Sequence, residues 1–347
     1  MRIRSLAVAG LLAAAIAMPV QAAPKRQIEA PAGAPWKHVQ TGITLPSSLL
    51  GITRGSIGDN SGSEIDVFAE YGDGQATVIT LYVFRPALAS VPMWFDRSEE
   101  QILMRDVYGN ATPAAAATAF APPGSKATSA LRRIYVPGKG PYKSTGLAII
   151  PMGEWLVAVR ISSQEFDATA LDAKLDDVIK ALGWPGGVAD ADAAVPVAPC
   201  ATPLAYAKRA KLKPPSMMDA LFGATLATMK PSDEEKAKAV AVTWCREGAP
   251  KQEYGVYRAV GNDTGYTIAL GDAGRVINVF PGLALDSKNP GYQLSLGLLD
   301  QTLVFPSFDK LPAPDVAVDA VMKNRPVSSA ARGGKNITIE AGGLKAK

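Results

Sequence analysis

The sequence predicts an α+β protein of two domains, each a mainly antiparallel β-sheet with helices packed on one face, and three observations lead there. Short runs of strand composition follow one another across tight turns such as Gly72-Asp73-Gly74 and Met152-Gly153-Glu154. Connections that short make neighbouring strands antiparallel, because a parallel crossover needs about a dozen residues or more. Two longer segments carry apolar residues at helical spacing instead. Residues 186–199, mostly Gly, Ala, Val and Pro with two aspartates, separate two such groups of elements and read as an interdomain linker.

At the N-terminus, Arg2 and Arg4 precede an apolar run from Leu6 to Val20, and Val20-Gln21-Ala22 supplies small residues before Ala23. Basic, apolar, small is the order of a secretory signal peptide, so residues 1–22 are expected to be removed. The run is shorter than the roughly 20 residues a helix needs to cross a bilayer. No cysteine stands near the cleavage point to carry acyl chains, so release into solution outside the cytoplasm, periplasmic or secreted, is expected. Residues 23–35, rich in Ala, Pro and charge, read as a flexible leader without a core of its own.

The first domain is expected over residues 36–185. Residues 63–71 and 75–84 form its clearest hairpin, with glycines at the turn to supply positive φ. The second arm is β-branched and aromatic almost throughout, which suits a strand buried on both faces. Pro92 opens a helix that runs to Val107, with Phe95, Ile102, Leu103 and Val107 recurring at helical spacing. Strands follow at 129–136, 145–151 and 155–162. The next helix has Asp167 as N-cap, an apolar stripe of Leu171, Leu175, Val178, Ile179 and Leu182, and Gly183-Trp184-Pro185 as its stop. Both helices are expected to cover the same face of the sheet.

The second domain is expected over residues 200–326. Ser216 to Asp219 opens a short helix with Leu221, Phe222, Thr225 and Met229 on one face, and Ser232-Asp233-Glu234-Glu235 has the spacing of a capping box. Strands recur at 239–246, 253–260, 266–270, 275–280, 293–299 and 302–305, punctuated by Gly261-Asn262-Asp263 and Gly271-Asp272-Ala273-Gly274. A helix over 315–323 closes the domain, and residues 327–347 read as a polar tail.

The element order over residues 36–185, two strands and a helix followed by three strands and a helix, resembles the Mog1/PsbP-like folds. That resemblance implies a protein that binds partners and does little chemistry. The whole chain is similar in kind to uncharacterised exported proteobacterial proteins.

Composition and single residues narrow the chemistry. Apolar residues make up 48% and charged residues 20% of the chain, globular values, and the net charge of +4 is spread without a one-signed block. Nucleic-acid binding normally needs a concentrated basic face, so no nucleic-acid partner is expected. Lys208 to Lys213 is the densest basic run; it reads as a solvated helix end, with contact to an anionic headgroup, polysaccharide or phosphate as the alternative. After the signal peptide no apolar stretch is long enough to span a membrane. The two cysteines, Cys200 and Cys245, are expected to form a structural disulfide in an oxidising compartment, since redox-active pairs usually stand two residues apart.

His38 is the single histidine, and it stands beside Trp36 and Lys37 at the start of the first domain, where a surface position is expected. One histidine and two paired cysteines cannot assemble a zinc, copper or iron site, so no such cofactor is expected. The oxygen-rich stretch Asp59 to Asp66 has its glycine at the wrong place for an EF-hand and reads as a polar loop. Pro137 to Ser144 matches no phosphate-binding loop and is followed by a strand, so it reads as a turn. Glu99-Glu100 and Asp176-Asp177 are expected on solvated helix faces, although carboxylate pairs that the fold brings together stay open. Trp94, Trp155, Trp184, Trp244, Tyr254 and Tyr257 suit core packing, with a groove for a peptide or glycan as the alternative.

These readings predict a non-enzymatic exported binding or accessory protein of the cell envelope, with a protein or envelope ligand as its partner and no assigned catalytic, cofactor or metal residue. The competing expectation is a cofactor-free hydrolase or lyase acting on envelope glycan or peptide through carboxylates or a Ser-Lys pair.

Overall fold

The elements follow from how the chain buries its apolar runs, seen in a computed structural model that describes residues 26–31, 33–188, 190–215, 241–282, 291–334 and 337–340. In chain order the first part forms β1 (Arg26–Ile28), β2 (Trp36–Lys37), β3 (Thr44–Leu45), β4 (Ser48–Leu49), β5 (Ile52–Asp59), β6 (Asp66–Tyr71), β7 (Thr77–Phe84), α1 (Val91–Leu103), β8 (Thr112–Pro113), β9 (Thr118–Phe120), β10 (Ala130–Val136), β11 (Ser144–Met152), β12 (Trp155–Ser163) and α2 (Ala168–Ala181). Ten of these strands make one antiparallel sheet in the order β1-β5-β6-β7-β12-β11-β10-β8, with β4 beside β5 and β9 beside β10. The hairpin read from residues 63–84 is present as β6 and β7, and β7 lies at the centre of the sheet, paired to β6 and β12.

α2 is built as its sequence signals require. The Asp167 carboxylate accepts from the Ala170 amide at 2.9 Å, closing the first turn, and Leu171, Leu175, Val178 and Ile179 are buried. The stripe lies close over β11 because Gly146 has no side chain there: a Cβ would stand 2.7 Å from Ile134 Cδ1 and 3.6 Å from Leu175 Cδ2. Removing the cap in Asp167→Ala is expected to cost about 1 kcal/mol, read as a lower urea midpoint at unchanged slope.

The two helices lie on opposite faces of this sheet, which corrects the expectation that one face carries both. Along β11, Ala148 and Ile150 join Leu171 and Leu175 of α2 in one core, whereas Leu147 and Ile149 join Trp94 and Phe95 of α1 in another. Consecutive strand residues point to opposite sides, and β11 is apolar on both, so each side needs its own cover.

The second part forms β13 (Ala198–Pro199), β14 (Trp244–Arg246), β15 (Tyr254–Ala259), β16 (Tyr266–Leu270), β17 (Arg275–Pro281), β18 (Tyr292–Gly297), β19 (Gln301–Phe308), α3 (Pro314–Lys323), β20 (Ser328–Ala331) and β21 (Ile337–Ile339). They make a nine-stranded sheet in sequential order, antiparallel except where β13 meets β14. Val256, Ile268, Ile277 and Leu294 face Ala317 and Ala320 of α3. On the other face, Tyr257, Ala269 and Val276 enter the same core as Trp94 and Phe95 of α1. The layers therefore run α2, first sheet, α1, second sheet, α3.

All three segments expected to lie outside the sheets contribute strands, the linker of residues 186–199 through β13 at its end. The leader supplies β1, which pairs to β5 from Arg26 to Ile28, and the tail supplies β20 and β21. Short polar segments gain a place when a neighbouring edge offers unpaired amides and carbonyls. Cys200 and Cys245 are joined, with Cα atoms 4.9 Å apart, tying β13 to β14. The helix and capping box read from residues 216–235 lie outside the described residues. Among the described residues, no helix is long and apolar enough to cross a membrane.

Candidate functional site

α1 holds nine buried residues, including Asp96, Arg97, Ser98 and Glu99, because a sheet covers it on each side. Polar groups taken out of water in this way need partners, and the structure provides most of them; among the described residues Arg97 Nη1, Arg133 Nε and Arg246 Nε are buried without one. Asp96 receives Arg246 Nη1 at 2.6 Å and the Tyr257 hydroxyl at 2.8 Å. Arg97 donates to the Gly271 carbonyl at 2.7 Å and to the Gln252 carbonyl. Glu99 accepts from Arg133 and from the Tyr135 hydroxyl, and Glu100 lies 3.6 Å from Arg246. The pair Glu99-Glu100 is thus enclosed, correcting its expected place on a solvated face; Asp176 and Asp177 do lie on the solvated side of α2, paired with Lys180 and Lys174. Burial pushes the Glu100 carboxyl above its ordinary value against the pull of Arg246. Through Asp96 and Arg97 the network joins α1 to the second sheet, with both oxygens of Asp96 engaged, and through Glu99 it joins α1 to β10 of the first.

Beside it, the turn Gly271-Asp272-Ala273-Gly274 between β16 and β17 presses on the end of β7. The Gly274 carbonyl accepts from the Ala87 amide at 2.8 Å. Its φ is +78°, and a Cβ at this position would stand 2.8 Å from Leu299 Cδ2 and 3.0 Å from Pro86 Cα, so only glycine fits. Seated this way, Asp272 meets Arg160 of β12 at 2.5 Å, and the Arg160 guanidinium lies 5.6 Å over the Tyr82 ring.

The contact leaves a cleft of about 150 Å³ between the first sheet, α1 and this turn. Tyr82, Phe84 and Ala158 of the sheet form its floor, Ser98 and Arg105 come from α1 and the turn after it, and Asn60, Asp66, Arg160, Asp272 and Ala273 complete it. Asp66 is 7% exposed. Burial pushes its carboxyl above the ordinary value, although the Asn60 hydrogen bond and the charge of Arg275 favour the ionised form. Tyr82 is raised by burial as well, so its phenol stays neutral and can donate. The side chains can neutralise an anion, accept from a donor and cover a short apolar body.

Other residues singled out in the sequence fall elsewhere. His38 is fully buried, which corrects its expected surface position: Nε2 lies 2.8 Å from the Glu64 carbonyl, Nδ1 2.8 Å from Thr41 Oγ1, and the ring packs 5.0 Å from Trp155. A carbonyl only accepts, so His38 donates to it through Nε2. It pins the β2–β3 hairpin to the first sheet. Asp59 caps its own loop, accepting from Ser61 N at 2.8 Å and Glu64 N at 3.0 Å. Residues 137–144 form a turn under the Tyr108 carbonyl, as expected. Trp94, Trp155, Tyr254 and Tyr257 are buried, while Trp184 and Trp244 are half-buried. The basic run 208–213 is no helix end: Lys208 and Arg209 lie in a turn, and beyond it Leu212 is bridged to Phe308 and the Lys213 amide bonds the Ser307 carbonyl.

Of the cleft, Asn60 and Asp66 lie in the oxygen-rich stretch the sequence marks, and Asp272 and Ala273 in a marked turn. Arg105 and Arg160 carry no local signal. Among the described residues, no group of three or more His, Cys, Asp or Glu is placed to hold a metal ion. No family model, curated protein or solved structure matches this chain.

Proposed function

We propose that the chain is an exported, non-enzymatic binding protein of the cell envelope, delivered by the signal peptide at residues 1–22 to the periplasm or the exterior, and that its ligand is a small polar molecule held in this cleft. In this reading residues 36–185 and 200–326 are two domains docked through α1, and the cleft forms where they meet. The observation that carries it is the Arg160–Asp272 pair, which joins the two sheets across a cleft that still contains an acidic and a basic side chain not committed to each other. Oxidising conditions outside the cytoplasm suit the Cys200–Cys245 bridge.

The test fills the cleft. Ala158 is on its floor and 5% exposed, so Ala158→Leu takes up the space at a stability cost of about 1–3 kcal/mol. Mature protein (residues 23–347) incubated with the low-mass fraction of an envelope extract is expected to show a small-molecule adduct in native mass spectrometry, absent from the folded Ala158→Leu variant. No adduct on the unaltered protein, or equal adducts on both, would overturn the reading.

One feature favours the hydrolase alternative: Asp66, pushed by burial toward its protonated form, shares the cleft with the ion-paired Asp272, a division of roles that acid–base chemistry uses. Turnover of envelope glycan or peptide that disappears in Asp66→Asn would establish it.

A further inference from the structure

We propose that the cleft takes an amphoteric ligand of amino-acid size, with Asp66 receiving a protonated amine and Arg105 an acidic group. The proposal rests on the binding reading above and adds the ligand's chemical class.

Asp66 is a buried carboxyl with an incomplete set of partners. Its Oδ1 accepts a single long hydrogen bond, 3.3 Å from Asn60 Nδ2, and its Oδ2 accepts none from the described residues. Buried Asp59, at the other end of the same loop, accepts at both oxygens from Ser61 and Glu64. The same contrast holds with Asp96, whose two oxygens are taken by Arg246 and Tyr257. Of the cations near Asp66, Arg160 is bound to Asp272, while Arg275 acts on Asp66 by its charge with no hydrogen bond to it, donating instead to the Ala273 carbonyl at 3.2 Å. The free Oδ2 is not closed off from the cleft, so a donor entering from outside can reach it, and a charged donor gains most.

Arg105 has the opposite need. Its backbone is held, its amide bonding the Ile102 carbonyl at 3.1 Å and its carbonyl receiving the Tyr108 amide at 3.0 Å. Its side chain is exposed, and the guanidinium makes no hydrogen bond or ion pair with the described residues. A planar guanidinium on a fixed backbone is suited to a carboxylate or phosphate.

The charges in the cleft then sort simply. Arg160 and Asp272 pair with each other, leaving one acidic and one basic side chain of the lining for a ligand. A ligand with a single charge would meet one of them and face the other without compensation. Phe84 and Ala158 beneath give an apolar floor for the carbon chain between the ligand's two groups. A volume near 150 Å³ has room for a body about the size of benzene, which suits a ligand of amino-acid dimensions.

The test is calorimetric titration of the mature protein at near-neutral pH and low salt with glycine, β-alanine and longer ω-amino acids, and with propylamine and propionate as single-charge controls. At least one amino acid is expected to bind about tenfold tighter than either control. Asp66→Asn and Arg105→Gln are each expected to weaken it by about tenfold, with Arg105→Gln sparing propylamine and Asp66→Asn sparing propionate. Asn is isosteric with Asp and position 105 is exposed, so both variants should keep the circular dichroism of the unaltered chain. Propionate binding as tightly as the best amino acid would overturn the amphoteric assignment and leave a plain anion site. No binding by any probe, with the envelope adduct still lost in Ala158→Leu, would overturn the ligand class alone; loss of the adduct result as well would remove the binding reading beneath it.

Discussion

Replacing both cysteines in Cys200→Ala/Cys245→Ala is expected to lower the unfolding free energy by roughly 4 kcal/mol, the chain-entropy contribution of a crosslink closing a loop of this length. The bridge spans 45 positions and joins β13 to β14, and β13 itself is only two residues long. Two residues of parallel pairing carry little stability, so the covalent link is the main tie between residues 198–200 and the second sheet. Because a crosslink acts largely by restricting the unfolded chain, the variant should show a steeper denaturant slope as well as a lower midpoint. Urea unfolding of the two proteins under non-reducing conditions checks this. A midpoint unchanged within error would mean that packing alone holds the first strand of that sheet.

Asp96→Ala is expected to cost about 3–5 kcal/mol, the loss typical of stranding one partner of a buried ion pair. The carboxylate is 4% exposed and Tyr257 fully buried, so truncation leaves the Arg246 guanidinium and the Tyr257 hydroxyl without their shared acceptor. Burial opposes the charge of Arg246, and Asp96 more than offsets this, holding the guanidinium above its ordinary value. Replacing all three in Asp96→Leu/Arg246→Met/Tyr257→Phe removes that pair with its desolvation cost and should recover part of the loss, the remainder being the Glu100 carboxyl that Arg246 faces at 3.6 Å. Thermal and urea unfolding of the single and triple variants give the comparison. Equal losses in both would assign the effect to α1 packing instead of to the stranded charge.

Where a residue's role follows from its near neighbours in sequence, it could be read from the sequence. The hairpin of β6 and β7, the strands β10 to β12, the Asp167 cap and the stripe of α2 all depend on spacings within a few residues, and they lie where those spacings place them. β5 escaped because Ile-Thr-Arg-Gly-Ser-Ile-Gly-Asp carries two glycines and no clean alternation. Its Gly58 serves the sheet by making room for the Phe68 ring, which would lie 2.3 Å from a Cβ there. The pairing partner that makes β5 a strand is β6, and no local pattern announces it.

The candidate site shows the same division. Composition, the order of elements and the two cysteines by themselves determined mainly antiparallel sheets with amphipathic helices and one crosslink, because periodicity and covalent chemistry are local properties. Only the tertiary structure decided that the second sheet packs against the outer side of α1. That one placement encloses Asp96 together with Glu99 and Glu100, the pair that reads as solvated on helical spacing alone. It also brings Asp66, Arg105, Arg160 and Asp272 around one cleft, residues contributed by four separate segments. Burial and long-range charge pairing depend on which surfaces meet, and a side chain's ionisation and free hydrogen-bonding capacity depend on burial in turn.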